Sequence, residues 1–128
     1  MNYFICSEIW SGCRTGEGHA STVYEICRKL GAKVPYPQKA ENEDYRRAFL
    51  SLGARDWVVL DINDVALEGV WRDSRKNRVF YLNWARGQPD NGGKRRNQDY
   101  VFMRISTGKW EDWGNDREWI ICEKEPQI

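Results

Sequence analysis

The first regular pattern along the chain is helical. Val23, Ile26, Cys27 and Leu30 fall at i, i+3, i+4 and i+7, which places them on one face of a helix. Thr22 and Glu25 have the spacing of a capping box at or just after its start, and Gly31 marks its end. Pro35 and Pro37 break the following stretch. A second helix is expected from about Glu41, with Tyr45, Ala48, Phe49 and Leu52 on one face and Gly53 beyond it. Its first acids, Glu41, Glu43 and Asp44, suit the positive end of the helix dipole. The remaining apolar runs read as strands. They cover residues 3–9, 57–62, 77–84, 100–105 and 119–122. In 77–84, Arg78, Phe80 and Leu82 share one face, and Val79, Tyr81 and Asn83 share the other. Residues 11–18 and the long polar stretch 85–99 read as loops, and a loop as long as the second is usually functional or disordered. Two helices followed by strands give an α+β class with antiparallel sheets.

Composition adds limits. A chain of 128 residues suits one domain with one real core, spanning 1–128 without repeat or linker. Charged residues make up 30% and the net charge is +1, so no global field points to nucleic acid or a membrane surface. No apolar run approaches the ~18 residues of a membrane span. The first residues are too few and lack the basic flank of a signal peptide. Either a signal has been removed or the chain is not exported by that route. Seven Trp and six Tyr are many for this length, and such rings serve both cores and flat ligand surfaces. Cysteines stand at 6, 13, 27 and 122, which allows three pairings. With a single His and no C-x-x-C, disulfides in an oxidising compartment fit better than zinc, with buried free thiols as the alternative.

Candidate chemistry concentrates in Gln88-Pro89-Asp90 and in Trp110-Glu111-Asp112. Both supply hard oxygen donors of the kind calcium takes in sixes to eights. The prolyl bond between two ligands is a candidate for the cis form, which would turn both side chains to one side.

These segments join others in a recognisable order. They are Cys27-Arg28-Lys29-Leu30-Gly31, Trp57-Val58-Val59-Leu60, Asn63-Asp64 through Glu68-Gly69-Val70-Trp71, Asn83-Trp84 through Gln88-Pro89-Asp90, Gly108-Lys109-Trp110-Glu111-Asp112, and Trp119 through Cys122-Glu123-Lys124. Over nearly its whole length the chain resembles a C-type lectin-like domain, a carbohydrate-recognition fold of two helices, antiparallel sheets and a long calcium-binding loop. The resemblance implies a Cys27–Cys122 disulfide. Cys6 and Cys13 lie outside the shortest form of the domain; a local Cys6–Cys13 bridge is the first reading and a bond between subunits the second. The family's second core disulfide would join positions near Tyr100 and near Gly114 or Asn115, and neither is cysteine here. Calcium and the packing of Tyr100, Trp110 and Trp113 are then expected to hold that loop.

By position, the resemblance implies calcium ligands at Gln88, Asp90, Gln98, Glu111 and Asp112. An auxiliary calcium site would use Asp64, Glu68, Asn91 and Asp99. The order Gln-Pro-Asp resembles the galactose-type members, and Glu-Pro-Asn would be mannose-type. The 3- and 4-hydroxyls of galactose or N-acetylgalactosamine would complete the calcium shell while bonding to Gln88, Asp90, Glu111 and Asp112. Glu111 stands where the family commonly has Asn, which keeps an oxygen ligand and loses an amide donor. Trp113 is the candidate to stack on the sugar, its other role being to fill the gap left by the missing disulfide. Trp57, Trp71, Trp84 and Trp110 are assigned to the core. Gly92-Gly93-Lys94-Arg95-Arg96 lengthens the loop; its cations suit either solvation or an anionic group such as sulfate or sialate.

The function implied is a secreted, extracellular, calcium-dependent lectin that binds galactose-type glycans and gains avidity as a homo-oligomer such as a dimer. The alternative is a lectin-like domain that recognises a protein or an anionic glycan. Paired-carboxylate hydrolysis by Glu111 and Asp112 is disfavoured, because neighbours on a strand point to opposite faces. No catalytic residue is assigned.

Overall fold

The computed structural model describes residues 2–5, 17–89 and 99–124. Its strands are β1 (Asn2–Ile5), β2 (Glu17–His19), β3 (Trp57–Asn63), β4 (Tyr100–Arg104), β5 (Trp110–Trp113), β6 (Arg117–Trp119) and β7 (Ile121–Lys124). Helices α1 (Val23–Lys29) and α2 (Asn42–Ser51) lie between β2 and β3. The two ends of the described chain meet in a two-stranded antiparallel sheet, β1 on β7, with Ile5 opposite Ile121. The other five strands form one sheet in the order β2-β6-β3-β4-β5. All its pairs are antiparallel except β3 with β6.

Strand β3 is almost continuously apolar because both of its faces are covered. Val58, Leu60 and Ile62 join Tyr45 and Phe49 of α2, Val101, Met103, Trp110 and Ile121 in one cluster. Val59 joins Val23, Ile26 and Cys27 of α1, Phe102, Ile120 and Cys122 in the other. The Cys27–Cys122 disulfide lies in this second cluster and ties α1 to β7 across 95 residues of sequence. No helix of the described residues is long and apolar enough to cross a membrane.

Four expectations change. The apolar run 119–122 is not one strand: β6 ends at Trp119 and β7 begins at Ile121, in different sheets. Alternate residues of the run serve the two clusters, so apolarity alone could not show the break. Residues 77–84 do not form a ladder strand. Their backbone groups bond singly to separate segments, Val79 N–H to the Trp71 carbonyl (2.9 Å) and the Asn83 carbonyl to Trp110 N–H (2.8 Å). The face alternation still holds in part, with Val79 buried and Phe80 82% exposed. The capping box is absent. Thr22 Oγ1 donates to the His19 carbonyl (2.8 Å) in a 3₁₀ turn over Ala20–Thr22, and Glu25 pairs with Arg28 (2.8 Å). Finally, the expected loop 11–18 ends in strand β2, and the first strand is described only as far as Ile5. Cys6 and Cys13 lie outside the described residues.

Closing a loop this long removes conformational freedom mainly from the unfolded chain. The C27A/C122A double variant is expected to lose on the order of 4 kcal/mol of unfolding free energy, measured by urea titration. A loss below about 1 kcal/mol would show that the two clusters hold α1 and β7 together without the bridge.

Candidate functional site

Trp110 brings the start of the long loop to β5. Its N–H donates to the Asn83 carbonyl and its carbonyl accepts from Ala85 N–H, both at 2.8 Å. The fully buried indole donates to Asn42 Oδ1 of α2 at 3.0 Å. Its ring meets Tyr81 and Trp84 edge-on, and Trp84 meets Trp71 in the same way. Thus Trp71, Trp84 and Trp110 belong to the apolar interior, as expected, and Trp57 packs at the margin of the other cluster.

From this anchor the chain turns through Gly87, at φ 83°, where a side chain would be strained. Gln88 N–H closes the turn on the Ala85 carbonyl at 3.0 Å. The Gln88–Pro89 bond is cis. Gln88 Oε1 then accepts from Asp112 N–H at 3.3 Å. Residues 24 apart in sequence therefore share one corner, and the Asp112 side chain there is 1% exposed.

Glu111 and Trp113 are not brought to that corner. On β5, Trp110 and Asp112 face the cluster of α2, while Glu111 and Trp113 face the other way. Glu111 Oε2 lies 3.8 Å from Arg104 Nε. The Arg104 guanidinium sits 4.5 Å over the Trp57 ring, and Trp113, 39% exposed, meets that ring edge-on at 6.1 Å. The sequence-predicted Asp90, Asn91 and Gln98 lie outside the described residues.

A second group of acids gathers where β3 ends. The ladder to β4 is irregular between Val59 and Asn63, and Asp64 N–H then donates to the Asp99 carbonyl at 3.0 Å. This closes the far end of the long loop against β3. Asp64, Glu68 and Asp99 place carboxylate oxygens within 4.8 Å of one another. Asp64 is 2% exposed; its Oδ2 accepts from Gly69 N–H at 2.8 Å, and its buried Oδ1 has no hydrogen-bond partner. Burial pushes the Asp64 carboxyl up to about 7, and the carboxylates of Asp99 and Glu68 add to the rise. A buried, unsatisfied carboxylate oxygen facing two more carboxylates fits a hard divalent cation, which would replace repulsion by coordination. Asp61, which the sequence did not single out, is held by Ser74 N–H and Oγ and is pushed up to about 6 by burial. Its bonds make it a clasp between β3 and the segment after Trp71.

Residues 19–124 match the family model described as the lectin C-type domain. The chain belongs to the C-type lectin family. It is 35% identical over 113 residues to human "C-type lectin domain family 3 member A", covering 84% of this chain and 55% of that protein. It is 36% identical over 93 residues to human tetranectin, covering 69% and 45%. The chain thus spans about half the length of the curated relatives it matches. Its fold is similar to that of the mouse scavenger receptor C-type lectin carbohydrate-recognition domain. The TM-score is 0.77 at 20% identity, over 98% of this chain and 90% of that one. The assignment is to the lectin C-type domain, a family that typically binds calcium.

Calcium at a hundredfold excess over its Kd is expected to add about 2.7 kcal/mol of stability, and D64N should remove most of the gain. Melting curves with calcium and with chelator check this; an unchanged response in D64N would place the ion elsewhere. In chelator, Asp61 and Asp64 bind their protons more tightly in the folded state, with pKa values of about 6 and about 7. Their stabilising contribution is complete below an ordinary aspartate pKa of ~4 and is lost as pH rises through about 7. The urea midpoint in chelator should therefore fall between pH 5 and pH 8, and D64N should lessen the fall.

Proposed function

We propose that this C-type lectin domain binds galactose- or N-acetylgalactosamine-type glycans through a calcium ion held at the Gln88–Asp112 corner. The observation that carries the reading is the contact of Gln88 Oε1 with Asp112 N–H, which joins the two motif segments. The Gln-Pro-Asp order supports the galactose type, since it places the amide first and the acid second along the loop. A bare hydroxyl competes poorly with water, so a cation and oriented donors and acceptors must act on it together.

Gln88, Asp90, Gln98 and Asp112 are retained as ligands of the loop calcium. Glu111, given the Arg104 contact, is reassigned to hold Arg104 over Trp57. Asp64, Glu68, Asp99 and Asn91 would hold an auxiliary calcium ion. The domain performs no catalysis and takes no nucleic acid. A secreted, extracellular setting agrees with the Cys27–Cys122 disulfide. A homo-oligomer, at its simplest a dimer, would supply the avidity that single sugar sites lack.

A second reading, a domain that recognises a protein or an anionic glycan, is favoured by one observation. Trp113 is turned away from the corner and onto Trp57, so it offers no stacking face beside Gln88. Isothermal titration separates the two. Galactose is expected to bind with a Kd of order 1 mM, about 4 kcal/mol, in calcium and not in chelator. Mannose should bind more weakly. D112N should abolish galactose binding, and E111Q should leave it within about twofold, or ~0.4 kcal/mol. No heat from galactose, with calcium still raising the melting temperature, would favour the second reading.

A further inference from the structure

The face of the large sheet opposite Asp112 carries a cavity of about 250 Å³ that the lectin reading does not use. Its described walls are Trp57, Phe102, Trp113, Asp116 and Glu118. Three rings form the sides, and two carboxylates come from the turn into β6 and from β6 itself.

The charged residues that line this cavity are both acids. Neither Asp116 nor Glu118 has an ion-pair partner among the described residues. Burial raises the Glu118 carboxyl to about 7, and Glu17, Asp56 and Asp116 add repulsion. The aromatic walls are already suited to a cation. Arg104 occupies one side of Trp57, 4.5 Å from its centroid, and Trp113 stands across the same ring at an interplanar angle of 68°. Indole is the strongest of the aromatic side chains for holding a cation, and the interaction gains when water is excluded. Three ring surfaces also favour a cation with an apolar shell over a bare ammonium. The bare ion must give up strong hydration, whereas a methylated one gains dispersion against each wall.

We infer that the Trp57–Trp113 cavity binds an alkylated ammonium group, with Glu118 and Asp116 supplying the counter-charge, at a site independent of the loop calcium. The positive charge would meet Glu118 while the methyl groups lie against Trp57, Phe102 and Trp113. A quaternary ammonium head fits a cavity of this volume and leaves its tether to leave by the exposed edge of Trp113.

The test is titration of choline into the protein, followed by tryptophan fluorescence and calorimetry. Ethanolamine and 3,3-dimethylbutanol, the neutral carbon analogue of choline, are run beside it. Choline is expected to saturate in the millimolar range, at least fivefold tighter than either comparison, and equally in calcium and in chelator. E118Q and W113A should each weaken it about tenfold. E118Q removes repulsion and so should remain folded, and urea titration of both variants verifies this. Equal binding of dimethylbutanol would reduce the cavity to an apolar cleft and overturn the inference. Equal binding of ethanolamine would reduce it to an acidic surface and overturn it as well. Absence of saturation by choline, or choline binding unaffected by both variants, would also overturn it.

Discussion

Everything that positions the chemistry of this domain passes through the burial of Trp110. A tryptophan at the start of an edge strand has a polar indole N–H that must be satisfied if the ring is to leave water. Asn42 at the head of α2 accepts it. That bond fixes the depth of the ring, and the ring's neighbours then fix the loop. Its backbone groups bind Asn83 and Ala85, and Trp84 meets its ring in a T-shaped contact. The first residues of the long loop are therefore held like a strand without belonging to a ladder. Gln88 follows three residues after Ala85, and its amide oxygen accepts from Asp112 N–H. At the other end of the loop, Asp64 N–H bonds the Asp99 carbonyl.

Because β5 is short and regular, it sorts its residues strictly by face. Asp112 goes with Trp110 toward the α2 cluster and meets Gln88; Glu111 and Trp113 go toward Trp57 and Arg104. Four adjacent residues thus serve two separate environments. One is an amide and a buried carboxylate suited to a metal. The other is a cation stacked on the Trp57 ring, with a carboxylate beside it. Substitution at Glu111 or Trp113 acts on the second environment directly and on the first only through the strand backbone.

The sequence carried the fold well where a period was unambiguous. The faces of α1 and α2 were legible because Val23, Ile26 and Cys27, and likewise Tyr45 and Phe49, recur at helical spacing and are all buried. The split between β6 and β7 was not legible. Trp119, Ile120, Ile121 and Cys122 are each driven inward, and a change of sheet leaves no trace in hydrophobicity when both faces are covered. Residues 77–84 misled for a related reason. Their alternation reflects one face against the core, which a singly bonded extended segment satisfies as well as a ladder strand does. The motif segments do come together in space: Gln88 meets Asp112, and Asp64, Glu68 and Asp99 gather at the end of β3. Strand alternation already sets Glu111 and Trp113 on the face opposite Trp110 and Asp112, where they meet Arg104 and Trp57.

The buried carboxylates reveal what the fold tolerates and what it leaves open. Asp61 has both oxygens engaged by Ser74, and Glu123 accepts from the Tyr45 hydroxyl at 2.7 Å, so each repays part of its desolvation locally. Asp64 does not: one oxygen is bonded to Gly69 and the other is buried without a partner beside two further acids. Without metal such a group is offset by keeping its proton beside Asp99; with its proton lost it needs a cation. A divalent cation is the simplest agent with sufficient charge. The same residue donates its backbone N–H to the Asp99 carbonyl, so an ion held at Asp64 would also bear on the contact that leads into β4. An ion bound here would act on the Gln88–Asp112 corner through β4, where Val101 pairs with Asp112, without touching either residue.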